Sequence, residues 1–490
     1  INFGTAGNIS LVANATLNSG SGNITLYDIP VAANVDLRLF GSGTNTLGVV
    51  NLGSGTLDLS GLTGGTTSVS GALTAQAITT AATAVNIALN AGAGGQNSSI
   101  TNAVTFNNTG TLTLGNDATD SITFTGGVSK TVGAKSLAGT ISTSNSAINF
   151  GTAGNISLVA NATLNSGSGN ITLYDIPVAA NVDLRLFGSG TNTLGVVNLG
   201  SGTLDLSGLT GGTTSVSGAL TAQAITTAAT AVNIALNAGA GGQNSSITNA
   251  VTFINTGTLT LGNAATDSIT FTGGVTATAP SQVNLAGTIT TGGGTNITFG
   301  DSDTGVTLNY NTTLNTGTSG TVTINQTLFI PASITLDLTS SNFTINEIDF
   351  TDDTSVLRLT GTQTTHNITT LDTAAGIIEY YGANGTVFAT GFGGGIGNDY
   401  PSLRIAAGSG TKTLEGDIYV HRDVVIQGGT LDVSTNSYTI TVDGNWTNNV
   451  GFTGFDSQSG TVIFNKASGT VQISGSNVWY VFECQVPGLT

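Results

Sequence analysis

The sequence predicts an all-β chain wound as a parallel β-helix, a β-solenoid with about 21 residues per coil. Three observations carry that prediction: a long, nearly exact internal repeat, strand-period alternation along the whole chain, and a composition rich in glycine yet poor in charge.

The repeat comes first, because self-similarity decides the architecture. INFGTAGNISLVANATLNSG begins at Ile1 and again at Ile148, an offset of 147 residues. Residues 1–128 match residues 148–275 at all but two positions: Asn107 becomes Ile254 and Asp117 becomes Ala264. A worn third copy starts at Ile297, where NITFGDSDTGVTLNYNTTLNTG follows the same phrasing and Pro331 takes the site of Pro30 and Pro177. Beyond residue 375 the phrases stop and Tyr and Trp become commoner. The expected segments are 1–147, 148–296, 297–375 and 376–490.

Within each copy, NITLYD, VDLRLF, TLDLSG, AVNIALN, GTLTLG and SITFTGG alternate apolar with polar residues. Period two is the signature of half-buried strands, and Gly, Ser and Asn punctuate them as turn formers. No stretch reads as an amphipathic helix. ALTAQAITTAATAVNIAL has the alanine but too many β-branched residues.

The coil length follows from the strand centres. Leu17, Leu37, Leu57, Ile78, Ile100, Ile122, Ile141 and Leu164 are spaced by about 21 residues, which fits seven coils into one long repeat. The whole chain would then make about 23 coils, about 110 Å long at ~4.8 Å per coil. Inward Val, Ile, Leu and Phe would form the core, with prolines at one corner. Outward charges give a second clue. Arg38 precedes Asp58 by one coil, and the worn copy places Asp337 and Arg358 there with the signs exchanged. Such a swap is expected of stacked neighbours. Tandem β-sandwiches fit less well, because they want a buried aromatic anchor in each domain and the first 375 residues contain no Trp.

Composition narrows the partners. The formal charge is −17, from 26 acidic and 9 basic residues. That sign disfavours nucleic acid and anionic membranes. No apolar run approaches the ~20 residues of a membrane helix. The single cysteine, Cys484, excludes an internal disulfide framework and a thiolate zinc cluster. The chain has no Met and opens on Ile1, as expected of a piece of a longer or processed protein.

The tail adds a resemblance. GTLDVSTNSYTITVDGNWTNNVGFTGFDSQSGTVIFNKASGTVQISG, followed by NVWYVFECQVPGLT, is similar to repeats of very large bacterial surface proteins. The shared features are the GNWTNN box at residues 444–449, with Trp446 inside it, a GTVxF strand and a closing aromatic phrase. The earlier repeats resemble, in texture, passenger regions of filamentous-haemagglutinin-type adhesins and autotransporters. The resemblance implies a right-handed β-helix, secretion, and a role as stalk, filament or adhesin. It brings no catalytic residues.

Candidate chemistry is sparse. His366 and His421 read as solvent-facing strand residues, since a Ser-His-Asp triad would need a partner that the sequence does not place. Asp301 and Asp303, then Asp349, Asp352 and Asp353, form acidic clusters in turn-like phrases. Paired carboxylates suit glycoside hydrolysis, but solvated turns explain these as well. GGIGND at residues 394–399 fits one copy of a calcium nonapeptide start, so Asp399, Asp301 and Asp303 are weak calcium candidates. Asp117 and Asp120 could flank a cation, although the second copy loses the first of them. Asn23 and Asn97 lie in sequons of the kind that so Asn- and Thr-rich a chain yields by chance. Cys484 reads as a buried small hydrophobe, and Trp479, Tyr480 and Phe482 as core.

The expectation is a structural, extracellular β-solenoid, a bacterial surface fibre or adhesin stalk without catalytic residues or cofactors. Its partner would be itself, stacked end to end, or a glycan. The alternatives are a carbohydrate-active β-helix enzyme and a tail that binds a glycan or host protein.

Overall fold

The computed structural model describes residues 1–4, 6–151, 153–393 and 399–485. The described residues are all-β, without a helix, and parallel coils about 22 residues apart form a β-solenoid of about 21 turns. The chain divides into two compact units. One comprises residues 1–240, 245–248 and 254–257, and the other residues 241–244, 249–253 and 258–490.

In the first unit each coil lays down three strands. Between Ile24 and its partner Asn45, the chain also places Ile29, bridged to Val50, and Leu37, paired with Leu57. Side chains alternate as the sequence requires: Ile24 and Leu26 are buried while Thr25 between them is partly exposed. Pro30 and Pro177 fall at corners outside the strands, where no ladder N–H is lost.

The register corrects the coil count. One ladder runs through Ile24, Asn45, Thr67, Ile87, Leu112, Lys135 and Ile156. Seven whole coils per repeat would place Ile171, the counterpart of Ile24, at the end of it. Ile171 instead belongs to another ladder, through Val128, Ile148, Asn192, Thr214 and Ile234. Likewise Leu37 lies in the ladder of Ala15, Leu57 and Ile78, whereas the strand of its counterpart Leu184 stacks back through Ala162 and Gly139 onto the strands of Ile122 and Ser98, a different ladder. The repeat therefore falls one strand short of seven coils and spans about six and two-thirds.

The expected series of strand centres fails at an identifiable point. Leu37, Leu57 and Ile78 do pair in order. Leu17, however, meets Leu39, and Ile100 meets Ala75 and Phe124 rather than Ile78. The step from Ile78 to Ile100 thus jumps ladders. The mean coil is about 22 residues and the turns about 21, rather than 21 and 23.

Polar residues also enter the core, among them paired Asn and Thr and two lysines. Asn45 Nδ2 donates to Thr67 Oγ1 at 2.9 Å inside the stack, and Asn192 repeats the bond to Thr214 on the other ladder. Lys130 and Lys135 are also buried. Lys130 Nζ donates to the Asn108 carbonyl at 2.5 Å, and Lys135 Nζ to the Ala153 carbonyl at 2.5 Å. The corresponding ladder positions of the second copy hold apolar Ala277 and Val283, both buried.

The second unit keeps the same stacking with longer strands, such as Gly305–Asn315 and Thr321–Ile330. Ile289, Leu314, Leu338, Leu359, Tyr380 and Ile405 form one inward ladder. Aromatic residues fill its later coils. Tyr380 and Tyr400 share a buried hydroxyl contact at 2.9 Å, and Trp446 packs against Phe455, Phe464 and Trp479.

The stacking makes a test at glycine corners. A Cβ on Gly202 would lie 1.9 Å from the Val182 carbonyl oxygen, whereas on Gly211 it would meet nothing closer than 3.9 Å. Gly202→Ala should cost about 2 kcal/mol or more and Gly211→Ala within about 0.5. Urea-unfolding midpoints compare the two, and equal midpoints would contradict the coil contact.

The buried amines make a second. Burial, with Lys135 nearby, lowers Lys130 from 10.5 to about 8. The unfolded chain holds that proton up to 10.5, so stability should rise with pH between about 8 and 10.5. Lys130→Met should remove roughly 2–3 kcal/mol of that rise. Unfolding measured at pH 7.5 and 10.5 checks it, and an undiminished rise would refute the assignment.

Candidate functional site

The outward rows of the solenoid carry the charged chemistry. In the first unit, Thr163, Arg185, Asp205 and Thr226 stand side by side on adjacent coils. Arg185 Nε pairs with Asp205 Oδ2, and Arg38 Nε pairs with Asp58 Oδ2 at 2.5 Å in the first copy. Asp205 Oδ1 accepts from the Ser207 amide at 2.9 Å and from Thr226 Oγ1 at 2.7 Å. Burial alone would raise this carboxyl, but the hydrogen bonds from Ser207, Thr226 and Arg185 outweigh it and bring it down to about 2. Asp58 is held at about 2 by the equivalent groups.

A register shift follows each arginine, between Arg185 and Phe187 and between Arg38 and Phe40. Gly208 lets the Phe187 ring lie flat on the backbone, since a Cβ there would stand 2.4 Å from the ring. The Arg185 guanidinium in turn sits 5.7 Å from the centre of that ring.

A second outward row borders the first. Asn161 Oδ1 accepts from the Asp183 amide at 2.9 Å, and Asp183 Oδ1 accepts from the Thr203 amide at 2.8 Å. Between the two rows lies a polar groove of about 380 Å³, lined by Asn161, Thr163, Asp183, Arg185, Thr203 and Asp205. Asn14, Asp36 and Thr56 make the same bonds in the first copy.

The second unit builds this place differently. Asp337, Arg358, Glu379 and Arg404 stack in register with alternating sign. Arg358 Nη1 reaches Asp337 Oδ2 at 3.2 Å and its Nε reaches Glu379 Oε1 at 2.8 Å. Arg404 Nε lies 2.6 Å from Glu379 Oε2. Tyr381 caps the cluster, with its ring centre 4.0 Å from the Arg358 guanidinium and its hydroxyl donating to Asp337 at 2.8 Å. The exchanged charges expected from sequence are therefore paired neighbours, and the row extends two residues further.

The other candidate residues are dispersed. Asp399 meets His421 Nε2 at 3.1 Å, and its outward neighbour Tyr419 donates to both oxygens of Asp443 at 2.8 Å. Residues 394–398 of the calcium-like phrase lie outside the described residues. Asp301 and Asp303 share one exposed turn, where Asp301 Oδ1 accepts the Asp303 amide at 3.2 Å. Among the described residues, no group of three or more His, Cys, Asp or Glu side chains could hold a metal ion. Asp352 caps its own turn through Thr354, Asp353 pairs with Arg422, and Asp349 lies near Asp372 and Glu347, beside which it is raised chiefly by burial.

Three expectations need correction. His366 does not face solvent: its ring stacks on Phe388 at 3.6 Å, and burial lowers its pKa. Cys484 is exposed rather than core, because it lies on the outermost strand, Val481–Cys484. Trp479 does pack inward, and Phe482 packs against Phe464 and Trp479 although its strand leaves it half exposed, but Tyr480 is largely exposed. Asn23 has a ladder role, its Oδ1 accepting the Thr44 amide at 2.9 Å, and Asn97 sits exposed at a strand start.

Asp120 is the residue whose role the sequence concealed. Its carboxylate is buried and accepts the amides of Gln96 at 2.8 Å, Asn116 at 2.9 Å and Asp117 at 3.1 Å. Asp267 repeats all three bonds. Asp117 is an exposed turn cap to Thr119, which explains why Ala264 can replace it. The signal was the contrast itself: of the two aspartates, only Asp120 is kept.

Against known proteins, the chain matches no family model, no curated protein and no solved structure.

The depressed carboxyls set an acid limit. Asp58 and Asp205 titrate near 2 when folded and near 3.8 when unfolded, so their stabilisation is full above about pH 4 and is lost as pH falls toward 2. The variant with both Asp58→Asn and Asp205→Asn should lose less stability than the parent between pH 5 and 2.5, by about 1 kcal/mol per site after solvent screening. Urea midpoints at the two pH values test this, and an equal loss would contradict it.

Proposed function

We propose that the chain is a structural, extracellular β-solenoid, a length of bacterial surface fibre or adhesin stalk. One observation carries the reading. Two copies that agree at all but two of their first 128 positions occupy different ladders of the stack. What is retained between the copies is the ability to add strands, whichever face they land on. A spacer needs that property, whereas a cleft built on one face does not use it. The resemblance of the tail to repeats of large bacterial surface proteins supports the same reading. So does an outer surface of Thr, Ser and Asn with a net charge of −17, which favours solubility.

Deleting residues 148–296 tests it. The variant should fold with a single repeat removed and give particles shorter by about 32 Å in electron micrographs, at ~4.8 Å per coil. Loss of folding, or an unchanged particle length, would count against a modular spacer.

A further inference from the structure

We propose that the first two repeats each carry a binding groove for a sugar acid, a pyranose bearing a carboxylate. The proposal rests on the groove beside Arg185, whose lining residues recur in sequence around Arg38, and stands apart from the stalk reading. At both places the arginine is fixed by one nitrogen only. Nε of Arg38 and Nε of Arg185 bind the aspartate on the next coil, and among the described residues no hydrogen bond engages their terminal nitrogens. The two side chains are half exposed, at 52% and 50%. The aspartate oxygens are occupied by Ser and Thr donors, so Asp58 and Asp205 hold the guanidinium in place without closing its outer edge. A rigid guanidinium edge with two parallel N–H donors matches a carboxylate.

The neighbouring row supplies the polyol contacts. Asp183 stands two residues before Arg185 on the same side, about 7 Å away, a span suited to one pyranose ring. One of its oxygens is taken by the Thr203 amide, and the other faces the groove as an acceptor for hydroxyls. Asn161 is likewise oriented by the Asp183 amide, which leaves its amide nitrogen as a donor, and Thr163 and Thr203 line the same wall; in the first copy Asn14 Nδ2 makes a long bond to Asp36 Oδ2, at 3.4 Å, that a ligand would replace. Long-range repulsion from the chain's net charge is screened beyond ~8 Å at physiological salt, so the contact pair decides.

The second unit contains its own control. Arg358 is clamped by Asp337 and Glu379 and covered by Tyr381, and Arg404, held to Glu379 through Nε, is only 21% exposed. The full chain should therefore bind two molecules of tri-galacturonate by titration calorimetry. Arg38→Lys and Arg185→Lys keep the charge but lose the fork. Each should remove one site with at least a tenfold loss of affinity there, and the double variant should remove both. Arg358→Lys should leave two sites. Circular dichroism of each variant establishes that the coil is intact. Maltotriose and acetate serve as neutral-sugar and simple-anion probes, and both should bind at least tenfold more weakly. Binding that survives in the folded double variant, equal affinity for acetate or maltotriose, or no binding of tri-galacturonate up to roughly 10 mM would overturn the proposal.

Discussion

Everything in this molecule depends on the backbone hydrogen bonds between successive coils. A parallel strand satisfies its N–H and C=O groups only if a neighbour lies ~4.8 Å away on either side. That condition fixes which side chains touch. Residues one coil apart become neighbours, inward residues stack into apolar ladders, and outward residues stack into polar ones. Paired ladder charges follow from it directly: Asp337, Arg358, Glu379 and Arg404 alternate in sign because each is the register partner of the next.

The same condition leaves the coil length free. Corners differ in length, so register steps vary from Leu37 to Leu57, a short step, to Ile87 to Leu112, a long one. A strand needs only a neighbour of similar length, not a particular face. This is how the same sequence serves two ladders, with Ile24 on one and Ile171 on another. The internal Asn45–Thr67 bond survives the move intact as Asn192–Thr214. In the first two repeats the faces of the solenoid are physically interchangeable.

Most of the fold was legible in the sequence because period-two alternation and self-similarity report the ladder directly. The Arg38–Asp58 and Asp337–Arg358 pairs could be read from spacing and sign alone. What the sequence hid were features that depend on where a corner bends. The evenly spaced series jumped to another face between Ile78 and Ile100, because Ile100 pairs with Ala75 and Phe124. Nothing in the sequence around Lys130 and Lys135 marks them as buried, yet the backbone carbonyls of adjacent coils receive them in the interior. His366 and Cys484 were misplaced because alternation gives the facing of a strand residue but not what covers it. The groove beside Arg185 was invisible for the same reason. Its walls are Asn161, Asp183 and Thr203 from three successive coils, brought together by register rather than by sequence.

The central claim is that the repeat advances by one strand less than seven coils. A cryo-electron microscopy map of the intact chain that separates strands at ~4.8 Å tests it most directly. The account predicts three strands per coil, with the Arg38–Asp58 pair and the Arg185–Asp205 pair on different faces of the solenoid. Finding both pairs on one face, in line along the axis, would contradict it.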